Sequence, residues 1–457
     1  MHSIYVKDIV RLCAGEVICG DKELVLHNFC LDTRKICSGD VYVGICGEKL
    51  DGNDFYQEAI DKGASCLILS KLPKEEVVGP TVVLVEDTLK CLQELAGYKR
   101  SLYDIPVIAV TGSVGKTSTK DIISSVVSKK YQTHKTSGNY NNHLGVPLTI
   151  LSMKENDQAL VVEMGMNHLG EISVLSQIAK PTISVITNIG TAHIGILGSR
   201  ENIRQAKLEI LDGMMGKQLI LNHDDDMLVQ VEEELSKRYD LKTVSIGGNG
   251  VYQAVHLVED TFSSRFDIQD EISNVEVNVG GKAYVYNSLV AYAVGKCLGI
   301  EEKLIKEGIS EFKLSSHRLE KKVMKRGTVL IDDTYNANYD SMKSSLELLG
   351  KVKGKRRIAI LGDMLELGDY TEEFHRKLGD VLIENHIDVL VTIGEYSQLI
   401  GKRAIELGMS QDNIYSFEHE SDSYLFLEEY LNDQDIVLLK GSHGIHLVGI
   451  VEKLMEI

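Results

Sequence analysis

A chain of 457 residues, 43% hydrophobic and 25% charged, has material for two to four globular domains and lies outside the range of disordered or low-complexity proteins. Its formal net charge of −18 excludes a general nucleic-acid or anionic-membrane binder, which needs a surplus of Lys and Arg on its contact face. No run of eighteen or more apolar residues occurs, so no transmembrane helix is expected, and "MHSIYVKDIVRLCAG" lacks the layout of a signal peptide, so the chain reads as cytoplasmic. Eight cysteines, none in a C-x-x-C pair, read as buried free thiols and not as a disulfide framework or zinc site.

Residues 1–103 mix short strands, "DVYVGI" and "TVVLVED" among them, with two helical runs, and form a small mixed α/β N-terminal domain. A boundary falls at "SLYDIPVIAV", where Pro106 precedes an apolar run that reads as a fully buried strand. From 104 to 314 the pattern is strand, turn, helix, repeated. "VIAVTG" leads to a helix over 117–130, "ALVVEMG" to one near 170–179, and "TISVITNIG" to one over 201–213. "QLILNHDD" is a further strand, 244–285 is richer in β structure, and helices return at 287–299 and 301–311. Near-continuous Val/Ile/Leu strands alternating with helices predict a parallel sheet covered on both faces. Residues 315–457 repeat the pattern with four strands, "TVLIDDTYNAN", "RRIAILGDM", "DVLVTIGE" and "DIVLLKGS", as expected of a Rossmann-like open α/β domain. In such sheets ligands collect at the carboxyl ends of strands.

Those strand ends carry the candidate chemistry. In "TGSVGKTSTK", Gly112, Ser113, Gly115, Lys116, Thr117 and Ser118 lie between a buried strand and a helix. Backbone N–H groups there face an anion, Lys116 can reach outer phosphates, and the Thr117 hydroxyl can bind Mg²⁺. The usual phosphate loop has four residues between its glycines, whereas this one has Ser113 and Val114 alone. Glu163 ends the next strand and His193 follows the third, so successive strand ends offer Thr, Glu and His to a hard cation. Singly, Glu163 reads equally as a solvated carboxylate and His193 as a surface or packed residue. Lys207 in "SRENIRQAKLEI" has the pattern of a solvated helix lysine. Arg318 and Glu320 in "SSHRLE", and Asp332 and Asp333 in "IDDTYNAN", are equally open.

Together these runs resemble the Mur ligases, ATP-dependent amide-forming enzymes of peptidoglycan assembly. The short phosphate loop is that family's form, and "GNYNNHLGVPLTIL", "EMGMNHLGEI", "TNIGTAHIGILGSRENI" and "AKLEI" follow in the family's order. "DDTYNAN" and "LGDMLELG" resemble the members that add D-Ala-D-Ala, and "DTRKICSGDVYVGICGEKLDGNDF" the part that holds the UDP end of the substrate. The resemblance implies three domains with a central P-loop ATPase, working as a monomer on UDP-MurNAc-tripeptide, ATP and D-Ala-D-Ala through an acyl phosphate, with domain closure about a hinge near 312–318. It implies that Gly112 to Ser118 cradle phosphates, that Thr117, Glu163 and His193 serve Mg²⁺, and that Lys207 is carbamylated by CO₂. It places Asn287, Arg318, Asp333 and Asn336 at the adenosine, Thr33 and Arg34 at the uridine diphosphate, and Asn139, Asn141 and Asn142 along the muramoyl-peptide.

The chain departs from the family pattern at Ala283 and Tyr284 before Asn287, at Tyr339 where Pro usually follows "NAN", and at His443, where "KGSHGIH" replaces K-G-S-R-G. His does not replace an anion-forking Arg at neutral pH without loss. Two alternatives therefore stay open: a ligase taking another amine substrate such as D-Ala-D-Lac, and a non-catalytic ATP-binding relative.

Overall fold

The computed structural model describes residues 3–456. It contains three α/β domains, each built on its own sheet. In the first, strands run Glu16–Cys19, Thr81–Leu84, Cys66–Leu69, Val41–Val43, Phe29–Cys30 across a five-stranded sheet, antiparallel only at the first pair. Three helices accompany it, Val6–Cys13, Tyr56–Asp61 and Thr88–Ser101, one more than the sequence pattern predicts. The last leans on the central domain, where buried Arg100 donates from Nε to the Ala179 carbonyl at 2.8 Å.

The central sheet has nine strands. Val107–Thr111, third from the edge strand Thr133–Lys135, is buried along its whole length between Ala159–Glu163 and Ile183–Ile186, both parallel to it. The register pairs Glu163 with Val110 and Ile186 with Thr111, so three strands end level. This levelling brings their following loops to one place. Gln218–Asn222, Asp240–Ser245 and Tyr252–Glu259 continue the sheet in parallel, and two antiparallel strands, Ser264–Ile268 and Ile272–Val277, close that end. The β-rich stretch stops there. Helix Lys282–Cys297 begins before the expected 287, because Gly281, with a φ of 97°, turns the chain directly into it. Its apolar Leu289, Val290 and Ala293 share a core with Ile122, Ile123 and Val126 of helix Lys116–Val127.

The third sheet orders Glu320–Val323, Val329–Asp332, Asp435–Lys440, Arg356–Gly362, Val389–Ile393, Ile414–Phe417, antiparallel only at its first pair. Its first and last strands are additions to the four that the sequence pattern predicts. The cysteine expectation needs correction. Cys66 and Cys91 are buried, whereas Cys37 and Cys46 are exposed and the remaining four lie between. "RKICSGD" and "GICGEKL" put Cys37 and Cys46 outside the sheet, in segments that bury little. All eight thiols are free.

Candidate active site

The phosphate loop is shaped by its glycines. Gly112 has a φ of 149° and Gly115 one of 83°, and a Cβ at Gly112 would lie 1.9 Å from the Thr187 hydroxyl oxygen. Only glycine fits a backbone so close to the neighbouring strand end. Gly115 caps helix Lys116–Val127, leaving the helix's first N–H groups free to face an anion. Lys116 folds back over the loop and donates from Nζ to the Gly112 carbonyl at 2.8 Å. Burial lowers its pKa, Glu163 opposes that shift, and Arg318 adds to it.

Around this loop lies a cavity of about 380 Å³. Ser113, Gly115, Lys116, Thr117 and Ser118 form its floor, with Glu163 and His193 on the neighbouring strand ends. Asn139, Asn141 and Asn142 supply one wall from the segment after Thr133–Lys135, and Asn287 comes from helix Lys282–Cys297. The C-terminal domain closes it with Arg318, Asp333 and Asn336. Of the site residues expected from sequence, all line this cavity except Gly112, Lys207, Thr33 and Arg34. Gly112 supports the loop from behind. Thr33 and Arg34 occupy a 3₁₀ turn of the N-terminal domain, where exposed Arg34 forks onto Asp32 at 2.8 Å.

Glu163 is 2% exposed. Its Oε1 accepts from Asn141 Nδ2 at 2.8 Å, while Oε2 is buried without a partner. An unpartnered buried carboxylate oxygen costs about 1–3 kcal/mol or more and asks for a cation or donor from outside the chain. Oxygen from Glu163 and Thr117, with one imidazole from His193, is a donor set that fits Mg²⁺. His193 holds a φ of 64°, and its Nδ1 lies 3.1 Å from Glu366 Oε2, outside hydrogen-bonding geometry.

Lys207 is 2% exposed, on helix Arg200–Leu208. It is therefore no solvated surface lysine. Burial holds its pKa well below 10.5, and nearby Lys116 pushes the same way. Its amine makes no ion pair or hydrogen bond among the described residues.

Arg318 crosses from the third domain. Its guanidinium lies over the Tyr335 ring at 4.0 Å and donates to the Thr117 hydroxyl at 3.0 Å. His317 and Leu319 on either side have φ values of 62° and 51°, so a strained backbone aims Arg318 at the phosphate loop. Asp333 accepts from Lys440 Nζ at 2.7 Å and from Ser345 Oγ at 2.7 Å. Asp332 faces the other way, pairing with Lys322 at 2.7 Å and His317 at 2.8 Å. The paired aspartates thus divide, Asp333 towards the cavity and Asp332 into the sheet.

Lys440 and Tyr335 are cavity residues that the sequence reading did not single out. Lys440 ends strand Asp435–Lys440, the position where the strand-end rule looks for ligands. The departures also find places. Tyr284 brings its hydroxyl 3.3 Å from Ser118 Oγ. Tyr339 opens helix Tyr339–Gly350, a position that Pro also suits, and stacks on Phe374 at 5.2 Å. His443 is exposed, and its ring lies 6.3 Å from that of Tyr335.

The same organisation occurs in known proteins. Three family descriptions match in chain order: Mur ligase family, catalytic domain over residues 25–100; Mur ligase middle domain over 110–295; and Mur ligase, glutamate ligase domain over 317–443. The UDP-N-acetylmuramoyl-tripeptide–D-alanyl-D-alanine ligase of Bacillus subtilis is 35% identical over 99% of this chain and 98% of its own. This chain belongs to the Mur ligase family. The enzyme of the same name from Escherichia coli is 28% identical over 100% of this Mur ligase and 99% of its own length. Among solved structures, MurF from Acinetobacter baumannii superposes with a TM-score of 0.90 at 28% identity, covering 100% of this chain and 99% of that one. MurF ligase from Thermotoga maritima in complex with ADP gives 0.81 at 27% identity, over 94% of this chain and 97% of that one. As a Mur ligase, the chain is an ATP-dependent amide-forming enzyme, and none of its helices is long and apolar enough to cross a membrane among the described residues.

Proposed function

We propose that this Mur ligase joins D-Ala-D-Ala to the terminal carboxylate of UDP-MurNAc-tripeptide, yielding UDP-MurNAc-pentapeptide, ADP and phosphate. The observation that carries the reading is the meeting of the phosphate loop, Glu163 and the C-terminal Arg318 and Asp333 on one cavity. The relatives that share the whole chain bear the name of that reaction. On this reading residues 1–103 hold the UDP end through Thr33 and Arg34, 104–314 hold ATP, and 315–457 receive the dipeptide. The protein works in the cytoplasm as a monomer.

A carboxylate is a poor acyl donor because its oxygen is a poor leaving group. ATP therefore transfers its γ-phosphoryl group to the tripeptide carboxylate, and ADP leaves. Lys116 and the loop N–H groups of Gly115 to Ser118 face the charge that develops on the phosphoryl oxygens. Thr117, Glu163 and His193 would hold Mg²⁺, whose charge would further stabilise the developing negative charge. Arg318 holds the Thr117 hydroxyl and the C-terminal domain together. Asn139, Asn141 and Asn142 orient the muramoyl-peptide. The D-Ala-D-Ala amine then attacks the acyl carbon, phosphate leaves with the electron pair of the broken bond, and the amine gives up a proton. Domain closure keeps water from the acyl phosphate.

A second cavity, of about 300 Å³, opens on the far side of Asn287 between Val244, Val290, Tyr286, Asn188 and Asn222. Apolar walls with a few amides suit a purine base, so adenosine is assigned there, with Asn287 between base and phosphates and Asp333 and Asn336 at the ribose. Lys207 supports a carbamate. A neutral amine is the form that attacks CO₂; the new N–C bond forms as a proton leaves, and the anionic product would relieve the clash with Lys116. His443, exposed beside Tyr335, favours one alternative, a different amine such as D-Ala-D-Lac.

Phosphate release from ATP with UDP-MurNAc-tripeptide, with and without D-Ala-D-Ala, tests the assignment at fixed Mg²⁺ and bicarbonate. Dipeptide-dependent release with a pentapeptide product by mass supports it. Turnover that ignores D-Ala-D-Ala transfers the assignment to another amine, and tight ATP binding without turnover to a non-catalytic relative.

A further inference from the structure

The loop that carries His193 reaches the cavity in a strained shape. His193 has a φ of 64°, which disfavours a side-chain-bearing residue. Asp340, in the first turn of helix Tyr339–Gly350 of the C-terminal domain, takes both donors of Thr191 on one oxygen. The Thr191 N–H donates to Asp340 Oδ2 at 2.6 Å and the Thr191 hydroxyl donates at 2.8 Å. A Cβ at Gly190 would stand 2.3 Å from that same oxygen, so the carboxylate is pressed against bare backbone.

A second grip lies just beyond His193. A Cβ at Gly195 would meet the Gly368 nitrogen and the Leu367 carbonyl carbon, each at 2.6 Å. The Tyr370 hydroxyl donates to the Gly198 carbonyl at 3.1 Å. The C-terminal domain therefore holds residues 190–198 from both ends, with His193 between the grips. Asp340 also faces the 300 Å³ cavity together with Ser344, opposite Asn188 and Asn222.

We infer that Asp340 is a positioning residue for ligation: it clips the C-terminal domain to Thr191, holding the His193 loop against the phosphate loop and sealing the nucleotide compartment. It acts through Thr191 and touches none of the phosphate-loop side chains by hydrogen bond. The inference rests on the ligase reading, and its consequence is specific. Without the clip the closed state is less populated, and water competes with the dipeptide amine for the acyl phosphate. Each such event breaks the acyl–oxygen bond, returns the tripeptide carboxylate and releases phosphate without an amide.

The test measures phosphate released per amide formed in Asp340→Ala, Thr191→Val and Thr191→Ser, together with X-ray scattering of each protein with a non-hydrolysable ATP analogue and UDP-MurNAc-tripeptide. Asp340→Ala is expected to lower amide kcat about tenfold or more and raise the phosphate-to-amide ratio above one, as misplacement of a reacting geometry does. Thr191→Val, which loses one of the two bonds, should lower kcat about threefold to tenfold. Thr191→Ser keeps the hydroxyl and should restore coupling. Scattering should show a wild type that compacts and an Asp340→Ala protein that compacts less. A ratio of one and full compaction in both disruptive variants would overturn the inference. If Asp340→Ala does not fold, Thr191→Val decides alone. A wild type that forms no amide sinks the ligase reading instead, and compaction then decides the clip by itself.

Discussion

Replacing Lys207 by Met tests the buried amine directly. Lys207 is 2% exposed, has no acidic partner among the described residues, and is held well below 10.5 by burial and then by Lys116. The sign follows from proton counting. Between the depressed folded value and 10.5 the unfolded chain binds a proton that the folded chain does not, so stability rises with pH across that window. One proton gives a slope of about 1.4 kcal/mol per pH unit wherever the two states differ by a full charge. Lys207→Met keeps the volume and removes that term. In CO₂-free buffer the variant should be more stable than wild type by about 1–3 kcal/mol at neutral pH, a gain of about 2–10 °C in the melting of the central domain. The gap should close as pH rises towards 10.5. Bicarbonate should raise the wild-type melting temperature and leave the variant unchanged, because only the wild type has an amine to carbamylate. Ligase activity of the variant should fall at least 100-fold. Scanning calorimetry of both proteins from pH 7 upward, with and without bicarbonate, reads all of this. Equal stability and equal pH slopes would refute the reasoning, since they require an amine that is solvated or paired.

Gly112→Ala should abolish ATP binding by calorimetry while leaving the circular dichroism spectrum native, because its Cβ would stand 1.9 Å from the Thr187 hydroxyl. Arg318→Lys should lower kcat/KM by about 10–100-fold, since an ammonium cannot both stack on Tyr335 and reach Thr117 as the planar fork does; steady-state kinetics with varied ATP measures it. Asp332→Asn should destabilise the C-terminal domain by about 1–3 kcal/mol in denaturant titrations at neutral pH, because it removes the buried carboxylate charge that half-buried Lys322 and His317 pair with. In the wild type, burial pushes Asp332 up, but bonds from Lys322, Thr334 and His317 prevail and hold it below 3.8. Its contribution is therefore present above pH 3.8 and lost as pH falls through the lower folded value, a loss that Asp332→Asn should not show.

The parallel sheets were legible because their strands are unbroken apolar runs, and a parallel sheet sends its loops to one end. That rule alone brings "TGSVGKT", Glu163 and His193 to a common edge, and the level register of Glu163 with Val110 and Ile186 with Thr111 makes the edge a site. What stayed hidden depends on the second sheet and on burial. Strand Glu320–Val323 reads as charged text because it is an edge with one solvated face. Lys440 ends a predicted strand, yet its value as a cavity cation depends on Asp333, far away in sequence. Lys207 has a helix-surface pattern, and only the packing around Arg200–Leu208 shows that its amine is enclosed. The same limit applied to Cys37 and Cys46, whose apolar neighbours in sequence did not bury them.

The groups that local sequence rules describe least well share one property: each is incomplete within the chain. Among the described residues Glu163 has a buried oxygen with no donor, Lys207 makes no ion pair, and Lys116 donates to the carbonyl of Gly112. A fold stabilised for its own sake would pair Glu163 with one of these lysines. The fold keeps them apart on separate elements: Lys116 and Glu163 face the cavity of about 380 Å³ from two neighbouring strand ends, and Lys207 lies outside it on helix Arg200–Leu208. Their separation is maintained at a cost in stability, and on the proposed ligase reading phosphates would satisfy Lys116, a cation Glu163, and a carbamate formed from CO₂ would replace the Lys207 amine. Arg318 and Asp340 join the C-terminal domain to the phosphate loop and to the His193 loop. The contacts nearest the phosphate loop, from Arg318 to the Thr117 hydroxyl and from Thr191 to Asp340, use a hydroxyl or a backbone N–H on the central-domain side, groups that do not compete with phosphates for charge.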